Sequence, residues 1–279
     1  MRVLLCVLLL LSSAAQAGER IISAGAGVTG LIEALGGHDQ LVAVDSSSHL
    51  AQARALPVVG YHRQLAVEGL LALKPSLLLG SDEMGPESTL QQLSKAGVKV
   101  ERLSTAPDLA TLQQNIQRVG ALIGKPDAAA ALTQQVHQQV AQLQQQATHL
   151  ARPPRLVYLL VVPGRPPMVA GSQTPADTLI TLAGARNPAA TLRNYPQLNA
   201  EALLAMQPDG LIVSERSLQQ DPQLLAHTLP QLAKDPAFKA LPIYTIPGAA
   251  LIGGLNLSTL QAAQTLQQQL LQAAGHAGE

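Results

Sequence analysis

Two stretches of this chain are near copies of one another, and that repeat limits the possible architectures more than any other feature. Ala66-Val67-Glu68-Gly69-Leu70-Leu71-Ala72-Leu73-Lys74-Pro75 aligns with Asn199-Ala200-Glu201-Ala202-Leu203-Leu204-Ala205-Met206-Gln207-Pro208 at a constant offset of 133 residues. Each copy then enters an apolar run, Leu77-Leu78-Leu79 in the first and Leu211-Ile212-Val213 in the second. A helix followed by a buried strand, met twice at such a distance, predicts two lobes built from one unit. Between the copies lies the longest stretch free of glycine and proline, Asp127 to Leu150. Its Leu132, Val136, Val140, Leu143, Ala147 and Leu150 recur every three or four residues, the spacing of one apolar helix face, and the opposite face is mostly glutamine. A long helix joining two similar lobes leaves a cleft between them.

Elsewhere, Val/Ile/Leu runs of three to six residues alternate with helix-forming Leu, Ala and Gln, the pattern of an α/β protein with mainly parallel central sheets. The boundaries read as residues 1–17 outside the fold, an N-terminal lobe over 18–125, the linking helix over 126–151 and a C-terminal lobe over 152–279. The excluded segment reads as a secretory signal peptide: Arg2 is its positive end, Val3 to Leu11 its apolar core and Ala15-Gln16-Ala17 its cleavage site. The single cysteine, Cys6, falls inside it, and Gly18 stands where a lipoprotein would carry its cysteine. Of 18 basic and 18 acidic side chains, only Arg2 leaves with the leader, so the mature chain is close to neutral. No basic block or basic–aromatic pattern points to nucleic acid.

Aromatic residues are scarce, with four tyrosines, one phenylalanine and no tryptophan. One tyrosine stands in Gly60-Tyr61-His62-Arg63, between the extended run Leu56-Pro57-Val58-Val59 and a helix opening near Ala66. Alternation along an extended segment sends Tyr61 and Arg63 to one side and His62 to the other. A guanidinium beside a phenol favours the phenolate, and tyrosine is among the axial ligands of haem iron. The competing reading is a loop tyrosine packed on its own lobe, with the arginine in water. By the repeat register Tyr195 falls one residue from the image of Tyr61, so the two should face each other across the cleft. Arg193, two residues earlier, could meet an acidic group of a ligand or stay solvated. His38, His49, His137 and His149 read as surface or helix-face residues.

A second motif competes. Gly25-Ala26-Gly27-Val28-Thr29-Gly30 is a G-x-G-x-x-G between strand Arg20–Ser23 and a helix from Thr29 to Leu35, and Asp45 follows 20 residues after its first glycine. That is the dinucleotide fingerprint, although a tight strand-to-helix turn wants small residues whatever it binds. It keeps an exported oxidoreductase open as an alternative, without a Ser/His/Asp set or a carboxylate pair to do the chemistry.

Leu35-Gly36, Leu41-Val42-Ala43-Val44-Asp45-Ser46-Ser47, Leu56-Pro57-Val58-Val59-Gly60-Tyr61-His62-Arg63, Ala66 to Pro75, Gly85-Pro86, and Met168-Val169-Ala170-Gly171 to Leu182-Ala183-Gly184 together carry a family likeness over nearly the whole mature chain. It resembles the helix-linked periplasmic substrate-binding proteins of ABC importers for haem, siderophores and cobalamin, and within them the haem-binding members. The resemblance implies a monomeric periplasmic carrier, not an enzyme, with haem as its transported ligand. It implies Tyr61 as the axial iron ligand and Arg63 as its supporting cation. It implies Glu68 and Glu201 as salt-bridge partners of arginines on an inner-membrane permease, and is compatible with an outer-membrane haem receptor upstream. Some members offer a second-lobe histidine; here Tyr195 is the better second-wall contact, with Arg193 toward a propionate. Leu, Val and Met from the loop ends should form the apolar walls. A ferric siderophore or cobalamin carrier of the same fold is the nearest alternative, though no tryptophan is present to pack a corrin.

Overall fold

The computed structural model describes residues 19–48, 55–162, 164–230 and 236–276. The expected signal peptide with Cys6 and its cleavage site, and also His49, lie outside the described residues.

The first lobe is built on four short strands, β1 (Ile21–Ala24), β2 (Leu41–Val44), β3 (Leu77–Ser81) and the charged edge strand β4 (Lys99–Leu103), in the order β2-β1-β3-β4 and parallel throughout. β1 and β3 are buried along their whole length, which is why they read as continuous apolar runs instead of alternating ones. Helices α1 (Ala26–Ala34), α2 (Val67–Ala72) and α3 (Glu87–Lys95) lie in the three crossovers, and α4 (Leu109–Leu122) follows β4 and leads to the linking helix. α1 begins three residues before the expected Thr29, so the Gly-Ala-Gly segment is itself the helix start.

The linking helix, α5 (Pro126–Ala147), is about 33 Å long at 1.5 Å per residue. It stops short of the expected Leu150, with Thr148 as its C-cap. Its predicted stripe holds, and it divides: Ala129, Val136 and Val140 join the first lobe's core, while Leu143 packs in the second's.

The second lobe repeats the plan with one change. Strands β5 (Leu156–Leu160), β6 (Met168–Val169), β7 (Gly210–Ser214) and β8 (Ile243–Ile246) lie in the order β6-β5-β7-β8, and only the edge strand β6 is antiparallel to its neighbour. Around them stand α6 (Pro175–Leu182), α7 (Ala200–Ala205), α8 (Glu215–Gln220), α9 (Leu224–Thr228), α10 (Pro236–Lys239) and α11 (Leu257–His276). The repeated helices α2 and α7 have only six residues each, too few to persist alone in water. Leu70 and Leu203, fully buried at matching positions, pin them, each contributing roughly 1.5–3 kcal/mol by burial. Both helices also end on a left-handed residue at the same register, Lys74 (φ 48°) and Gln207 (φ 45°).

The last helix, α11, belongs to both lobes. Leu260 at its start packs in the first core and Ala263, Leu266 and Leu270 in the second, and buried Gln267 donates from Nε2 to the Leu143 carbonyl of α5 at 2.7 Å. Ahead of α11, Gly254 (φ 77°) runs so close to Thr105 of the first lobe that a Cβ there would lie 2.5 Å from the Thr105 carbonyl oxygen. Thr178 of α6 adds a hydrogen bond from its hydroxyl to the Pro107 carbonyl, 2.6 Å. The lobes are therefore joined by two helices and by a tight loop contact at the base of the cleft.

Candidate functional site

The tyrosine loop of the first lobe is an addition to the sheet edge. Val58 bridges Val44 of β2 in parallel, with Val44 N–H donating to Pro57 O (3.1 Å) and Val59 N–H to Val44 O (3.0 Å). Gly60 then turns through a left-handed φ of 89°, its carbonyl accepting from Ser46 N–H at 2.8 Å. The next residues are strapped to the loop after β3: Gly85 N–H donates to His62 O (2.9 Å) and Leu65 N–H to Gly85 O (2.8 Å). The backbone of the Tyr61 loop is thus held on two sides.

The segment itself is a turn, Gln64 N–H donating to Tyr61 O at 2.8 Å, and it separates the side chains. Tyr61 is 42% exposed and Arg63 half exposed, both on the cleft, whereas His62 is turned inward and only 1% exposed. His62 Nδ1 lies 2.9 Å from Oδ2 of Asp45, itself wholly buried. The Tyr61 ring rests on the His62 ring, centroids 4.3 Å apart and tilted by 54°.

Asp45 disposes of the dinucleotide alternative. It accepts hydrogen bonds from Ser47 Oγ (2.7 Å) and Ser48 Oγ (2.9 Å) besides facing His62. Burial alone would raise its carboxyl, but the bonds from His62, Ser47 and Ser48 outweigh that and hold it below the ordinary carboxylate range. An acid committed this way cannot reach a ribose. The N-terminus of α1, where a pyrophosphate would sit, is also occupied: Ala26 N–H donates to Ser47 Oγ at 3.0 Å. The glycine-rich segment is a structural turn.

In the second lobe the equivalent loop also clings to an edge. Arg193 bridges Ser172, Gln197 bridges Met168 of β6, and Gly171 N–H donates to the carbonyl of left-handed Asn194 (φ 58°) at 2.8 Å. Gly171 is required there, since a Cβ would lie 2.4 Å from the Leu192 carbonyl oxygen. Tyr195 packs against the second core beside buried Tyr158. Burial pushes its phenol up to about 12, against a hydrogen bond with Thr174 that lowers it and the charge of Glu83 that raises it further. Burial raises Tyr158 as well.

Between the lobes lies a cavity of about 630 Å³, in the usual size range of small-molecule sites. Tyr61, Arg63, Glu83 and Thr105 line it from the first lobe, and Tyr158, Leu160, Gln173, Asn194, Tyr195 and Ser217 from the second; Leu251 to Gly254 close its floor. Three of the chain's four tyrosines meet here. The apolar contribution comes from them and from Leu160, Leu251 and Ile252; among the described residues no valine or methionine takes part in this wall. Arg193 is exposed and outside the lining, because the left-handed turn at Asn194 breaks the two-residue period that would have put it beside Tyr195. Glu83, which sequence reasoning missed, sits in the cavity with Oε1 2.5 Å from Arg63 Nη2. Glu68 and Glu201 are exposed in the first turns of α2 and α7, outside the lining.

Comparison with known proteins places this geometry. The family model of the periplasmic binding proteins matches residues 21–250. The vitamin B12-binding protein of Yersinia pestis (strain Pestoides F) is 30% identical over 226 residues, covering 80% of this chain and 79% of its own. Among solved structures, the periplasmic heme-binding protein HutB of Vibrio cholerae is 43% identical with a TM-score of 0.83, over 90% of this chain and 98% of its own. A periplasmic heme-binding protein from Pseudomonas aeruginosa is 35% identical with a TM-score of 0.84, over 91% and 93%. The chain belongs to the periplasmic binding protein family.

Proposed function

We propose that this member of the periplasmic binding protein family captures haem in the periplasm and delivers it to an ABC-type importer, catalysing no reaction on it. The observation that carries the reading is Tyr61: a half-exposed phenol on the wall of a tyrosine-lined cleft, with a guanidinium two residues on and its loop fixed from below. A bare metal ion would need several protein ligands, and among the described residues no three His, Cys, Asp or Glu side chains are grouped to supply them. Haem iron arrives with four positions filled by its own ring, so one phenolate completes an axial site. The likeness at 43% and 35% identity to proteins named as heme-binding supports the same ligand.

In this reading Tyr61 binds the iron and Arg63 steadies the phenolate. Tyr195 lies on the facing wall as a neutral phenol, available for ring contact and not as a second anionic ligand. Arg193, exposed outside the cavity, could meet a propionate only from its rim. Glu68 and Glu201 dock the two lobes onto the permease, and residues 1–17 direct export and are removed.

The test is a titration of the purified mature chain with haemin, read by absorption. The expected result is a saturable Soret band with the ferric tyrosinate charge-transfer feature; a spectrum that is only that of free haemin sinks the proposal. The 30% identical B12-binding relative makes cobalamin the second ligand to offer. Tight cyanocobalamin binding without haemin binding would transfer the assignment.

A further inference from the structure

The geometry points to Glu83 as a positioning residue that restrains Arg63 on the cleft wall and so sets how tightly the chain holds its ligand. The inference rests on the haem reading and deepens it. Arg63 follows Tyr61 by two residues and shares its side of the loop, yet its guanidinium is engaged elsewhere: Nη2 lies 2.5 Å from Glu83 Oε1. A carboxylate paired with that cation cancels most of the field that would favour a phenolate at Tyr61. It also places a negative charge inside a cavity meant for a dianionic porphyrin.

Glu83 is free to let go. It follows β3 on the loop 82–86, its side chain is one-third exposed, and its second oxygen, Oε2, is 4.0 Å from His62 Nε2, too far for a hydrogen bond. By contrast, the neighbours that could have moved instead are fixed. His62 is clamped to Asp45 beneath Tyr61, and Asp82, next to Glu83, is tied to Thr105 by its hydroxyl at 2.7 Å. The adjustable element of the first wall is therefore the Arg63–Glu83 pair. Seating a ligand on Tyr61 requires exchanging Arg63's partner from Glu83 to the phenolate, and the strength of the resting pair is subtracted from the affinity. A carrier that must release its cargo to an importer gains from such a counterweight.

The experiment titrates haemin at one fixed pH into the wild type, Glu83→Gln, Glu83→Asp, Arg63→Ala and the Arg63→Ala/Glu83→Gln double variant, reading affinity and the tyrosinate charge-transfer band. Glu83→Gln should bind haemin about tenfold tighter with the band retained, a gain that mere loss of structure would not produce. Glu83→Asp, which keeps the charge, should show less than half of it on a logarithmic scale. In the Arg63→Ala background the Glu83→Gln gain should shrink by at least half on that scale, since the acid then has no cation to restrain. Unchanged or weaker binding by Glu83→Gln, or an undiminished gain without Arg63, overturns the assignment. Should Glu83→Gln fold poorly, Glu83→Ala asks the same question. A wild type that takes up no haemin fails the haem reading itself, a result distinct from either.

Discussion

The two tyrosine loops are built alike and end differently. Each adds an extended segment to the edge strand of its sheet, β2 or β6, and each sets a left-handed residue before the tyrosine, Gly60 or Asn194. In each, that residue's carbonyl accepts a 2.8 Å hydrogen bond from the neighbouring edge. Yet Tyr61 stands out into the cleft and Tyr195 is sunk against Tyr158. The difference follows from the next residue. His62 turns inward to meet Asp45 and takes the buried place, leaving Tyr61 on the cleft side of the turn; at the equivalent place stands Pro196, which has no polar side chain to bury, and the tyrosine itself packs on the core. One backbone device serves a cleft-facing phenol in one lobe and a packed wall in the other.

Where the lobes do agree is in the matching exposed positions of Glu68 and Glu201, proposed above to dock the permease, and the largest expected effect tests that agreement. Reversing both Glu68 and Glu201 to Lys should abolish haem-dependent uptake while leaving haemin affinity within about twofold, because like charges facing each other at an interface cost several kcal/mol. The single reversals should lose transport to similar degrees. Joint loss of haem binding and uptake in the double variant would put the glutamates in the cleft or the fold and not at a permease. A single reversal without effect would break the equivalence of the lobes.

The next effect divides the tyrosines. Tyr61→Ala should erase the tyrosinate band and weaken haemin binding by about 100-fold or more, close to 2.7 kcal/mol. Tyr195→Phe should keep the band and weaken binding by less than about tenfold. If the band survives Tyr61→Ala and vanishes in Tyr195→Phe, the two loops have been assigned in reverse.

Their pH responses should also part. Asp45 is held below the ordinary carboxylate range in the folded chain, so its contribution is present above about pH 4 and is lost as pH falls through its lowered value. Asp45→Asn should flatten that acid limb and cost about 1–3 kcal/mol by leaving buried partners unpaired. Tyr195 has the opposite sign: with its phenol raised to about 12 from an ordinary ~10, its contribution is full below pH 10 and is lost as pH rises toward 12. Tyr195→Phe should flatten the alkaline limb, incompletely because Tyr158 is raised too. Thermal unfolding across pH measures both; an unaltered acid limb in Asp45→Asn would remove the buried pair from the account of the first loop.

Much of this was legible in the chain before any coordinates. The repeat of Ala66–Pro75 in Asn199–Pro208 gives the lobes, because a helix pinned by one leucine before a buried strand leaves a local pattern. The apolar stripe of α5 shows a linking helix for the same reason. The Asp45–His62 pair left no such trace. Its members are 17 residues apart, and only the adjacency of the Tyr61 loop to β2 brings them together, so Asp45 looked like a nucleotide acid. Glu83 drew no reading, since nothing in sequence says that Arg63 lies opposite. Arg193, which in sequence could meet a ligand or stay solvated, stands outside the cavity lining because of one backbone angle: alternation holds only while φ stays extended, and Asn194 (φ 58°) does not. The amphipathic spacing of α11 says that it packs, but not that it packs on both lobes.

The smallest expected effect lies at that same backbone position. Gly60 has φ 89°, with open space around a would-be Cβ, so any cost of substitution there comes from the backbone and not from crowding. Gly60→Ala should therefore destabilise by about 1–2 kcal/mol, the usual penalty for a left-handed L-residue. Gly60→Asn, which installs the second lobe's choice, should cost less, because asparagine tolerates this region better. The reciprocal change, Asn194→Gly, relieves strain at φ 58° but frees the unfolded chain, so the two terms should nearly cancel, to within about 0.5 kcal/mol. Denaturant unfolding of the three variants measures the order. If Gly60→Asn proves as costly as Gly60→Ala while Asn194→Gly is neutral, the turns differ in more than the residue they carry. The placement of Tyr61 would then depend on a glycine that the second lobe never needed.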